Sequence, residues 1–169
     1  MKRGIFTSCV IAFVIALSGC QKGNDNLTGA QKETVRQEVS QAFNSFYSAC
    51  NSLNLSILLG SLSESPDFRF IDVEGKVTDA PTTRTNFSQM INSFASSKYE
   101  TQKIEITPIT NVEALLLWHG SAVCNLKDGT QLKFNSVGWT ILYQRQKGAW
   151  KIQHFQESAP PPLSIPKAK

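Results

Sequence analysis

The sequence predicts an α+β domain: three helices, all ahead of the main run of strands, packed on one face of a curved antiparallel sheet. Three observations carry that expectation. Apolar residues recur every three or four positions between Lys32 and Cys50, which is the period of an amphipathic helix. Long apolar-rich runs fill the second half of the chain, joined by turn signals at Asn111, Asp128-Gly129 and Lys147-Gly148, the pattern of a strand meander. Helices precede the meander instead of alternating with its strands, which favours α+β packing over a parallel α/β sheet. Several of these strands exceed the usual length of roughly five or six residues, so they must coil, and a coiled sheet covered by helices encloses a cone with a pocket.

The elements follow in order. In the first helix Val35, Val39, Ala42, Phe43, Phe46, Tyr47 and Cys50 form the apolar stripe, with Glu33, Arg36, Gln37, Ser40, Gln41 and Asn44 on the other face. Thr28 or a near neighbour supplies its cap. Leu53 to Leu62 reads as a second, short helix, ended by the run from Ser63 to Pro66, since proline disfavours helix in the residue before it. Asp67 to Asp72 sets Phe68, Phe70 and Asp72 against Arg69 and Ile71, a strand period; Glu74-Gly75 turns the chain and Lys76 to Thr78 returns. Phe87, Met90, Ile91 and Phe94 give a third helix over Arg84 to Ser96. Four antiparallel strands follow, over Lys98 to Thr110, Ala114 to Leu126, Thr130 to Arg145 and Ala149 to Ser158, and Pro160 to Pro162 closes the last.

The N-terminus carries a different signal. Lys2 and Arg3 precede a largely apolar run from Ile5 to Leu17, and Leu17-Ser18-Gly19-Cys20 closes it with small residues. A charged start, a short apolar stretch and such a site form a secretory leader. An apolar run of about 13 residues spans only about 20 Å as a helix, too short for a bilayer core of about 30 Å. Leu-Ser-Gly-Cys resembles the bacterial lipobox, whose cysteine becomes the lipidated N-terminus. The resemblance implies residues 1–19 as signal peptide, Cys20 as the lipid anchor, and attachment to the cell envelope, on the periplasmic side of the outer membrane in a Gram-negative cell. Residues 21–31 are polar and glycine-bearing and read as a flexible tether. The domain then covers residues 32–158 and a proline-rich tail covers residues 159–169.

Composition limits the function classes. The chain has 169 residues, 41% of them hydrophobic and 18% charged, which excludes a disordered or collagen-like chain. Formal net charge is +4, and losing Lys2 and Arg3 with the leader lowers it by two. That balance does not point to nucleic acid. Cys9 leaves with the leader and Cys20 takes the lipid, so two thiols remain, Cys50 and Cys124. An oxidising compartment permits a disulfide between them, and a pair of buried free thiols is the alternative. The two histidines, His119 and His154, fall on opposite expected faces, and there is no CxxC, so no metal site is expected. With no glycine-rich phosphate loop, no cofactor is expected either.

The closing strand has the form Gly148-x-Trp150-Lys151-Ile152-x-His154-x-Gln156-x-Ser158. Together with the opening helix, the segment Phe68 to Thr78, the Asp128-Gly129 hairpin and Gly138-Trp139-Thr140, it resembles the SnoaL-like branch of the nuclear transport factor 2-like superfamily. In that family the closing strand reads G-x-W-K-I-x-H-x-H-x-S. The resemblance implies a cone-shaped α+β fold and a homodimer through the sheet. Here Gln156 stands where the family has its second histidine, and glutamine does not exchange protons near neutral pH.

Strand alternation sorts the side chains. On the last strand Trp150, Ile152, His154, Gln156 and Ser158 share one face, which its apolar members assign to the concave side. On the strand before the Asp128-Gly129 hairpin, the set Ala114, Leu116, Trp118, Gly120, Ala122 and Cys124 takes the interior. Its neighbours Leu115, Leu117, His119 and Val123 face outward, where a second subunit would cover them. Phe46, Tyr47, Phe70, Trp118, Trp139, Tyr143, Trp150 and Gln156 are the expected pocket residues. Asp72 and His154 are the candidate acid–base pair, with turn capping by Asp72 and a satisfied core His154 as the alternatives. The expected function is a membrane-anchored pocket domain that binds a small apolar ligand or an envelope partner without catalysis. The alternative is an isomerase, dehydratase or hydrolase built on Asp72 and His154.

Overall fold

The computed structural model describes residues 27–166. The expected signal peptide, the Cys20 anchor and the tether up to Asn26 lie outside them. Helix α1 spans Gly29–Ser52, and Thr28 caps it with a reciprocal pair: Gln31 N–H donates to Thr28 Oγ1 while Thr28 N–H donates to Gln31 Oε1. Such a cap stabilises a helix by about 1 kcal/mol, and it starts the helix inside the segment expected to be tether. Val35, Val39, Phe43, Phe46, Ala49 and Cys50 are buried along it. Helix α2 spans Leu55–Ser61 and is capped by Asn54. Helix α3 spans Ala80–Ser93 and starts earlier than its apolar period indicates, because Asp79 caps it and Pro81 sits in its first turn.

The strands are β1 (Arg69–Ile71), β2 (Val77–Thr78), β3 (Phe94–Pro108), β4 (Glu113–Leu126), β5 (Gln131–Gln146), β6 (Ala149–Ser158) and β7 (Leu163–Ile165). Their order across the sheet is β2-β1-β6-β5-β4-β3. The sheet is mixed, since β1 pairs with β6 in parallel, with Phe70 opposite Phe155 and Ile71 opposite Gln156. The tail contributes one more short strand: β7 pairs with Gln131 to Lys133 of β5, beyond the reach of β6. No helix among the described residues is long and apolar enough to cross a membrane.

The core lies between α1 and the concave face of the sheet. Trp118 and Trp139 stack there at 4.2 Å, and Phe43 and Phe46 meet the Trp139 ring edge-on. Gly120 is required at this point. A Cβ on it would come within 2.1 Å of the Glu100 carbonyl oxygen and 2.5 Å of the Trp118 ring.

Two irregularities in pairing decide which side chains enter the cone. Between β4 and β5 the register passes from Gly120 opposite Val137 to Ala122 opposite Phe134, so β5 carries one extra residue. Between β5 and β6 it passes from Leu142 opposite His154 to Tyr143 opposite Ile152, so Gln153 is extra on β6. A bulge of this kind reverses the alternation beyond it. Ile152 and Gln153 are consecutive and both buried; Phe155 is then buried while Gln156 is exposed. The expectation that His154 and Gln156 point into the cone is therefore corrected. They face the convex side, and Phe155 and Glu157 take the interior.

Candidate functional site

The interior encloses a cavity of about 290 Å³. Every layer of the fold lines it: Phe46 and Cys50 from α1, Leu58 from α2, Phe87 and Met90 from α3, and Phe70 from β1. The long strands add Tyr99, Cys124, Trp139, Phe155 and Glu157. Asp72 and Val73, just after β1, complete it. Val73 and Met90 are exposed and form the rim. The walls are mainly apolar and rich in aromatic rings. Around Trp139, the ring centroids of Tyr99, Phe155 and Phe46 lie at 5.1, 5.7 and 5.9 Å, and Phe70 lies 5.2 Å from Phe155.

Polar chemistry in this cavity centres on two carboxyl groups. Glu157 Oε1 accepts a hydrogen bond from the Trp139 indole at 3.0 Å. Burial pushes the Glu157 carboxyl above the usual range; the indole bond opposes that rise and the nearby Asp72 charge adds to it. Asp72 is half-buried and serves two roles. Its Oδ1 accepts from the Glu74 N–H at 3.0 Å and the Lys76 N–H at 2.9 Å, closing the turn in which Gly75 adopts φ +81°. It thereby caps the turn and borders the cavity at once.

Cys50 and Cys124 are both free and buried; no disulfide joins them in this structure. Burial pushes the Cys124 thiol up to about 11, and Cys50 higher still. Both are therefore neutral thiols at neutral pH, not activated nucleophiles. Tyr99 stands against Cys124, and its hydroxyl is likewise held far above its usual range by burial.

Other expected site residues lie elsewhere. Tyr47 donates to the Tyr99 carbonyl at 2.6 Å, and the Trp118 indole donates to Thr101 at 2.8 Å; both brace the core behind the cavity wall. Tyr143 is fully buried, its hydroxyl without a partner among the described residues. Trp150 sits away from the cavity, its indole on Glu38 at 3.0 Å and Arg145 over its ring. His154 is half-buried on the convex face, opposite Leu142 and Arg69. The Asp72–His154 pair is not assembled, because the sheet lies between them. His119 is exposed, with Nε2 3.1 Å from Ser136 Oγ. Among the described residues no three His, Cys, Asp or Glu side chains gather to hold a metal ion.

Strict alternation on the last strand missed Glu157 and Phe155. A signal for them was present: Ile152 and Phe155 are both large and apolar yet stand three apart, a spacing that an unbroken strand cannot bury on one face.

Residues 39–162 match the family model of the SnoaL-like domain, and the chain belongs to that family. A comparison with curated proteins finds no match in sequence. Solved structures give the same fold. A nuclear transport factor 2-like superfamily protein from Salmonella enterica superposes with a TM-score of 0.67 at 17% identity, over 76% of this chain and 92% of that one. A hexachlorocyclohexane dehydrochlorinase from Novosphingobium barchaimii superposes with a TM-score of 0.66 at 8% identity, over 82% and 94%. A proposed dehydratase from Streptomyces avermitilis reaches 0.67 at 14% identity, over 76% and 97%. At these identities the likeness concerns the fold alone.

Proposed function

We propose that this domain binds a small, largely apolar ligand inside the cone without catalysis, held at the envelope membrane by a lipid on Cys20. The observation that carries the reading is the cavity itself. It is walled by aromatic and aliphatic side chains, with two carboxyl groups and, among the described residues, no histidine, lysine or arginine in its lining. Small-molecule sites have this composition: apolar walls with few polar groups. The test is native mass spectrometry of the protein extracted from its own cells. A bound small molecule is expected, released on denaturation; an empty cavity together with no thermal shift across a panel of envelope lipids and metabolites overturns the reading.

The anchor has its own test. Labelling with an alkyne fatty acid should tag the wild type and not Cys20→Ser. A homodimer through the convex face is part of the same proposal, supported by the exposed Leu117 and the half-buried Leu115 and Leu142 that share that face. Sedimentation analysis that finds a monomer at micromolar concentration rejects it.

A second reading is supported by the two carboxyl groups on one cavity and by the dehydratase and dehydrochlorinase among the structural neighbours. In that reading Glu157 takes the place given to His154, as a carboxyl of raised proton affinity beside Asp72. Turnover of an added substrate that is lost in both Asp72→Asn and Glu157→Gln would establish it.

A further inference from the structure

We infer that the ligand of this cavity is a lipophilic amine, its ammonium group seated between the Glu157 carboxylate and the surrounding aromatic side chains. The inference rests on reading the cavity as a ligand site and adds the charge of what enters it.

The argument begins with sign. Among the described residues, the charged side chains that border the cavity are Asp72 and Glu157, both acidic. The ion pairs among those residues lie elsewhere: Arg36–Glu33 on α1, Lys98–Glu100 and Lys103–Glu105 on β3, and Arg145–Glu38 beside Trp150. Neither cavity carboxyl takes part in any of them. An anionic ligand, such as a fatty acid, would meet two like charges in a poorly solvated space and no counter-ion.

Free acceptor capacity comes next. Trp139 occupies only Oε1 of Glu157, and the turn occupies only Oδ1 of Asp72. The second oxygen of each carboxyl takes no hydrogen bond from the described residues. An ammonium donor fits these acceptors, because it carries up to three N–H groups and no lone pair. A neutral hydroxyl could satisfy one oxygen but would leave the charge uncompensated.

The third observation is the ring set. Phe46, Tyr99, Trp139 and Phe155 converge around the same part of the cavity, with Tyr99 and Phe155 each within 6 Å of Trp139 between ring centroids. Ring faces attract cations, most strongly where water is excluded. Aromatic walls alone would suit any apolar molecule. Aromatic walls with unpaired carboxylates select a cation carrying apolar bulk. At about 290 Å³ the cavity lies at the lower end of small-molecule sites, which suits one ring on a short amine chain.

The experiment compares three probes of nearly equal size: phenethylamine, phenethyl alcohol and phenylacetate. Binding to the full chain in nanodiscs is measured by calorimetry against empty nanodiscs. The amine is expected to bind at least about tenfold more tightly than the alcohol, because only the amine brings a cation to the carboxyl groups and aromatic rings, and phenylacetate not measurably. Glu157→Gln should bring amine and alcohol to within about threefold of each other. Asp72→Asn, which keeps the turn acceptor and removes the charge, should narrow the gap less, and it remains informative if Glu157→Gln does not fold. If the alcohol or the acid binds as tightly as the amine, the inference falls while the cavity reading stands. If none of the three binds, both fall. An amine preference that survives in both variants also overturns it.

Discussion

Strands β4 and β6 face the same interior and obey different rules. On β4 the alternate residues Ala114, Leu116, Trp118, Gly120, Ala122 and Cys124 are all buried, one face from end to end. On β6 Ile152 is inward, Gln153 is extra, and the inward set resumes one step out of phase at Phe155 and Glu157. Alternation is a property of the individual strand only while its pairing is unbroken. A bulge is a property of the pair, and it decides here which of His154 or Glu157 meets the cavity. The cavity wall is thus set by one inserted residue as much as by the residues that form it.

The largest expected effect comes from the residue that the shifted phase turns inward. Phe155→Ala removes the contacts of that ring with Phe46, Phe70 and Trp139, and truncating a buried phenylalanine should destabilise the domain by about 4 kcal/mol. Urea unfolding measures it; a variant of unchanged midpoint would show that Phe155 does not face the interior. On β4 the sharpest test is Gly120→Ala. Its Cβ would approach the Glu100 backbone oxygen, which cannot swing aside, so a loss of about 3 kcal/mol is expected. Denaturation at a near-wild-type midpoint would mean that β3 and β4 separate more easily than their packing indicates.

The same contrast explains what was legible in the sequence. Helices α1 and α2, the antiparallel pairs of the long strands and the turns at Gly129 and Gly148 follow from local chemistry: periodicity and residues able to adopt positive φ. The interior set of β4 was equally readable, because small residues at Gly120 and Ala122 mark a crowded face. The parallel pairing of β1 with β6 depends on a partner some eighty residues away in sequence and leaves no local trace. The β7 strand is hidden behind three prolines that end β6. Asp72 was found by its place at the end of an aromatic strand, whereas Glu157 was lost to the phase shift upstream of it.

A smaller effect tests the electrostatics that the bulge creates. Glu157 holds its proton more tightly in the folded than in the unfolded chain, because its site is poorly solvated. That contribution is fully present below the ordinary carboxylate range and is lost as pH rises through the folded value. Glu157→Gln removes it, so the variant should gain stability relative to wild type as pH rises from the ordinary carboxylate range through the folded value. Asp79, Glu100 and Asp128, whose carboxyls are held low by hydrogen bonds or, for Glu100, by Lys98, act in the opposite sense, but they are common to both proteins and cancel in the difference. A gap that does not change with pH would place Glu157 in water.

The smallest effect is the most discriminating between neighbours. His154 and Phe155 are adjacent, and only Phe155 lies on the cavity. With His154 on the convex face opposite Leu142 and Arg69, and with no hydrogen bond from its ring among the described residues, His154→Ala should change unfolding stability by no more than about 0.5 kcal/mol. Ligand affinity should be the same as that of wild type. Calorimetry and urea unfolding on this one variant separate the two phases of β6. A loss of binding would require His154 to reach the cavity, which the Gln153 bulge prevents. A loss of stability without loss of binding would point instead to the convex face, where a second copy covering Leu117 and Leu142 would also cover His154.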